Sequence, residues 1–131
     1  MRTRYISQKY INDCGVACVA MIAGVKYEEA FAALGFIEDG GQFYTTRGQI
    51  TMALQSFGVE VKRKYFRSWD EIPGRAIVAV NHRCNRRNFH WVVFTGKAVL
   101  DPNRKRKNRP STRASGWYLF VVDGEIAGNA K

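Results

Sequence analysis

The sequence predicts an α+β fold in which N-terminal helices pack on a C-terminal antiparallel sheet. Three observations carry this. Apolar residues recur with helical spacing before Gly58 and in short, strand-like runs after it. No alternation of strand and helix is present that would build a parallel sheet. The turn Thr95-Gly96 lies between two apolar runs, as in a β-hairpin. The chain has 131 residues and is 46% hydrophobic, enough for one packed core. A single domain over residues 1–131 is therefore expected, with a frayed tail at 124–131.

Taken in order, Asp13 is expected to cap a short buried helix, CGVACVAMIA, that Gly24 stops. Tyr27 to Leu34 predicts a second helix, ended by Gly35. A glycine-rich loop from Glu38 to Gln42 follows; its Gly40-Gly41 pair is read as an ordinary turn. Thr46 and Gln49 have the spacing of a capping box. Behind them Ile50, Ala53, Leu54 and Phe57 fall on one helix face, with Gly58 as the stop. Val59 and Val61 alternate with charged residues, as in a half-exposed strand. Ser68 and Glu71 suit one short turn before Pro73. Strands are predicted at Ala76–Val80, Phe89–Phe94, Lys97–Leu100 and Trp117–Val122, and Asn103–Ser115 as a basic loop. Phe89, Trp91 and Phe94 are assigned to the core rather than to base stacking.

The formal net charge is +10, from 21 Lys and Arg against 11 Asp and Glu. Residues 83–113 hold ten basic residues and one acid, Asp101. Such a patch suits an acidic protein, an anionic membrane or nucleic acid. The candidate contacts are Arg86, Arg87, Arg104, Lys105, Arg106 and Lys107. Three cysteines, at 14, 18 and 84, are too few for a disulfide framework, so reduced thiols and a cytoplasmic location are expected. The apolar run from Val16 to Val25 is far shorter than a membrane span. Cys14, Cys18, His82 and Cys84 form a nominal zinc set, but His-x-Cys is not a usual zinc pair. No metal or cofactor is expected; Cys18 is assigned to the core and His82 to the surface.

A nucleophilic cysteine needs ionisation near neutral pH, a base within reach, a group that orients the base, and donors for the oxyanion. Cys14 opens a helix, where unpaired N–H groups and the helix dipole favour a thiolate. His90 begins an apolar strand and Asp101 ends the next. A hairpin turning at Thr95-Gly96 makes residues 90 and 101 near cross-strand neighbours, so a carboxylate meets an imidazole.

These residues resemble a known family. Gln8, the run Asp13-Cys14-Gly15-Val16-Ala17-Cys18-Val19-Ala20-Met21-Ile22, then His90-Trp91-Val92-Val93-Phe94 and Asp101-Pro102 look like the papain-like double-glycine leader peptidases. That domain usually opens a bacteriocin-exporting ABC transporter, and stand-alone relatives occur. The resemblance runs from Gln8 to Asp101 and includes the helix ending at Phe57-Gly58. No transporter domain follows Asp101, so the stand-alone form is expected. The resemblance implies a papain-like fold and a Cys14 nucleophile. His90 would serve as general base and then acid, and Asp101 would hold its tautomer. Gln8 would donate its amide to the oxyanion beside the Cys14 N–H. The expected substrate is a peptide or related acyl compound, cleaved through an acyl-enzyme. The alternative is a catalytically retired module that binds an acidic protein or nucleic acid through residues 83–113.

Overall fold

The computed structural model describes residues 3–10, 12–37, 43–82, 85–103 and 114–122. The predicted loop with Gly40-Gly41, Cys84, the basic residues Arg104 to Lys107 and the tail at 124–131 lie outside the described residues. So do the side chains of His82, Arg86, Arg87 and Phe89.

Among the described residues three helices come first: α1 (Cys14–Ala23), α2 (Tyr27–Ala33) and α3 (Arg47–Ser56). The α1 sequence is apolar on every side, so it is stable only when enclosed. Residues Val16 to Ala20 are all 0% exposed, and α1 packs on α2, α3 and the sheet. It ends where Gly24 takes the left-handed conformation, φ 72°, with its N–H on the Ala20 carbonyl. The α3 capping box forms as its sequence predicts. Gln49 N–H donates to Thr46 Oγ1 at 3.1 Å, and Thr46 N–H to Gln49 Oε1 at 2.8 Å.

Five antiparallel strands follow among the described residues: β1 (Val61–Tyr65), β2 (Ala76–His82), β3 (Asn85–Phe94), β4 (Val99–Leu100) and β5 (Ala114–Val121). A single 3-10 turn, Trp69–Glu71, lies between β1 and β2. The sheet order is β1-β5-β2-β3-β4. Central β2 is continuously apolar from Ala76 to Val80, and all five residues are fully buried, because both faces of the sheet are covered. One face joins Ile77, Ala79, Trp91, Val93 and Leu119 to the helical core. The other gathers Val78, Val80, Val92, Tyr118 and Phe120 with Phe66 and Trp69.

The β3–β4 hairpin forms, but not in the predicted register. Val93 pairs with Leu100 and Phe94 with Val99, so the turn is longer than the two residues Thr95-Gly96. Thr95 Oγ1 accepts the N–H groups of Lys97 and Ala98, and Thr95 N–H donates to the Ala98 carbonyl. This side-chain-closed turn draws Lys97 and Ala98 out of the strand predicted at Lys97–Leu100. Residues 90 and 101 therefore meet diagonally rather than face to face. Their side chains keep the same face, because a two-residue shift preserves strand alternation.

Candidate active site

Cys14 opens α1, while His90 and Asp101 lie on the β3–β4 hairpin, and the fold brings the helix start and the hairpin together. Cys14 is the first residue of α1 and is held there by the burial of that helix. Its Sγ accepts the Trp91 N–H at 3.4 Å, so the thiol sits directly over β3. His90, one residue earlier on β3, is 5% exposed. Its Nε2 lies 2.7 Å from Asp101 Oδ1. The same ring also bonds the Cys14 side chain. Burial alone pushes the His90 pKa down. Hydrogen bonds to Asp101 and Cys14, and the attraction of their charges, outweigh it and raise the pKa to about 9.

Asp101 is itself held at the end of the hairpin. Asn103 N–H donates to its Oδ1 at 2.9 Å, and the Tyr5 hydroxyl donates to its carbonyl at 2.7 Å. Gln8 N–H donates to the Pro102 carbonyl at 2.9 Å. The N-terminal segment thus runs along the Asp101-Pro102 corner. One N–H of the Gln8 side-chain amide donates to the Tyr10 carbonyl at 2.7 Å. The Gln8 Oε1 is buried without a partner among the described residues.

Asp13 departs from its expected role. It occupies the cap position of α1, but its carboxylate makes no hydrogen bond to that helix. Instead it accepts Lys9 N–H at 2.8 Å, Tyr10 N–H at 2.9 Å and the Tyr27 hydroxyl. Three donors to a fully buried carboxylate make a closed knot that fixes residues 8–10 against α2. The Cys14 and Gly15 N–H groups lie in the first turn, where N–H groups have no acceptor within the helix; the Asp13 carbonyl takes those of Val16 and Ala17. Burial and this hydrogen bond push the Tyr27 hydroxyl pKa far up, so it remains a donor.

Cys18 lies one helical turn beyond Cys14 and is fully buried. Burial pushes its thiol well above the usual range, and nearby Cys14 and Asp101 add to this. It therefore stays a neutral thiol near neutral pH. Gly15 permits a close approach: a Cβ there would sit 1.9 Å from Thr45 Oγ1. That hydroxyl is buried without a partner among the described residues. Sequence reasoning passes over Tyr5, Tyr27 and Thr45, which are bound to the site only by long-range contacts. Among the described residues no cluster of three or more His, Cys, Asp or Glu suits a metal ion. No described helix is long and apolar enough to cross a membrane.

The fold matches that of a solved structure, the crystal structure of a double glycine motif protease from an AMS/PCAT transporter in complex with the leader peptide. The TM-score is 0.67 at 22% sequence identity, covering 92% of this chain and 91% of that one. No curated protein matches the sequence. The model of the peptidase C39 family matches residues 2–109, most of the chain. Together with the α+β architecture of helices packed on an antiparallel sheet, this match places the chain in the peptidase C39 family of cysteine peptidases.

Proposed function

We propose that the chain hydrolyses a peptide bond through Cys14, His90 and Asp101, in the manner of leader-peptide processing. The observation that carries the reading is the His90 ring, which bonds Asp101 on one side and Cys14 on the other. The His90 pKa of about 9 keeps the ring protonated at neutral pH, ready to give its proton to a leaving group. The Cys14 thiolate attacks the scissile carbonyl carbon, and the developing oxyanion takes the Cys14 N–H at the helix start. The second N–H of the Gln8 amide, not engaged by Tyr10, is the candidate second donor. The C–N bond breaks as His90 protonates the departing amine, leaving a thioester on Cys14. A water then gives a proton to His90 and attacks the thioester carbonyl; the C–S bond breaks, releasing the acid and the Cys14 thiolate with His90 protonated as at the start. Asp101 holds the ring through Nε2 throughout.

The solved relative was crystallised with a leader peptide, and a peptide bearing a double glycine is the first substrate to try. Arg86, Arg87 and Arg104 to Lys107 flank His90 and Asp101 in sequence, and an acidic substrate suits them. A free thiol nucleophile agrees with a reducing, cytoplasmic compartment. The test is cleavage of double-glycine peptides by wild type, Cys14→Ala and His90→Ala, followed by mass spectrometry. Turnover by wild type, reduced at least about 10³-fold in both variants, is expected. Equal cleavage by wild type and Cys14→Ala would sink the reading.

A further inference from the structure

The net charge of +10 draws attention to residues 83–113, yet a second concentration of charge lies in strand β1. The run VKRKYFR carries Lys62, Arg63, Lys64 and Arg67 with no acid among its seven residues. All four are exposed, and none forms an ion pair among the described residues. Lys64 lies 5.0 Å from the Phe120 ring centroid, a cation–π contact that leaves its charge uncompensated. Tyr65 is 77% exposed on the same strand.

β1 is also an open edge. Among the described residues it is terminal in the sheet and pairs with β5 alone. Val122 N–H donates to the Glu60 carbonyl and Phe66 N–H to the Gly116 carbonyl, so the even-numbered residues face β5. By strand alternation the N–H and C=O groups of Val61, Arg63 and Tyr65 point away from the sheet. An exposed row of such groups is a template for one more strand. A second copy of the same strand is a poor occupant, because Lys and Arg would be set against Lys and Arg.

We propose that the β1 edge is a docking site for an extended acidic segment of a partner protein, added as a sixth strand. Backbone pairing along Val61, Arg63 and Tyr65 supplies the geometry, and Lys62, Arg63, Lys64 and Arg67 select carboxylates. The site lies at the opposite edge of the sheet from β4 and from the hairpin that carries Asp101. It is independent of the proposed peptidase chemistry.

The test is fluorescence anisotropy of the full chain with a labelled, acetylated heptapeptide of alternating Glu and Val. The same peptide N-methylated at alternate residues, and a short oligothymidylate, serve as competitors. Binding is expected to weaken about tenfold or more in Lys62→Gln/Lys64→Gln/Arg67→Gln, and to fall as salt rises. One pattern of N-methylation, the pattern that blocks the pairing edge, should abolish competition, while cleavage of a short peptide substrate stays unchanged. Equal competition by every N-methylated form, unchanged affinity of the triple variant, or preferred binding of the oligothymidylate would overturn the proposal. Absence of peptide binding would overturn it equally.

Discussion

His90 is a buried base whose proton is held by two partners, and this gives the fold a pH signature. Its pKa of about 9 lies above the ordinary histidine value of 6.5. A raised folded-state pKa stabilises the protein fully below the unfolded pKa, and the gain is lost as pH rises through the folded one. Stability should therefore fall between about pH 6.5 and 9, by on the order of 3 kcal/mol for this group. Urea unfolding across that range checks it, and Asp101→Asn should flatten the slope. A slope unchanged in Asp101→Asn would remove the His90–Asp101 pair as its source. Turnover should decline over the same alkaline limb, since the protonated ring gives the departing amine its proton. At this scale the sequence was legible where chemistry is specific to a residue type. That His90 and Asp101 meet could be read from their settings on one hairpin. Asp13 could not be placed: a cap and a buried acceptor for Lys9, Tyr10 and Tyr27 look the same until the chain has folded.

Elements decide how accurately those residues meet, and α1 is the most constrained of them. Its second residue, Gly15, is a poor helix former, so alanine there ought to add about 1 kcal/mol of helix stability. Packing opposes this, since the new Cβ would sit 1.9 Å from Thr45 Oγ1 and 2.9 Å from Thr45 Cβ. The steric effect should win. Gly15→Ala is expected to destabilise by roughly 1–3 kcal/mol and to lower kcat, because the shifted residue adjoins the thiol. Adding Thr45→Ala removes the nearest atoms and should recover part of both losses. If Gly15→Ala alone proves more stable than wild type, the close approach is not real. The helices were legible because caps and glycine stops act locally. The hairpin register was not. It depends on whether the Thr95 hydroxyl closes a longer turn onto Lys97 and Ala98, a choice composition does not make. The diagonal meeting of His90 and Asp101 survives that misreading only because the error is an even number of residues.

Across the whole molecule, the N-terminal segment braces the end of the β3–β4 hairpin. Tyr5 and Asp101 are 96 residues apart in sequence, a separation at which no local pattern announces a contact. The Tyr5 ring packs on the helical core while its hydroxyl holds the Asp101 carbonyl, and Gln8 N–H holds Pro102. Asp101 follows a two-residue strand, β4, which by itself offers little to fix its position. The N-terminal segment is thus the natural source of its rigidity. Tyr5→Phe keeps the ring and removes one long-range hydrogen bond, at a cost of about 1 kcal/mol. If the segment positions Asp101, kcat should fall by up to about tenfold with KM little changed, since substrate contacts are untouched. The alkaline limb of turnover should also move to lower pH, because a looser carboxylate holds the His90 proton less firmly. A loss of stability with kcat and the pH limb unmoved would reduce Tyr5 to a packing residue.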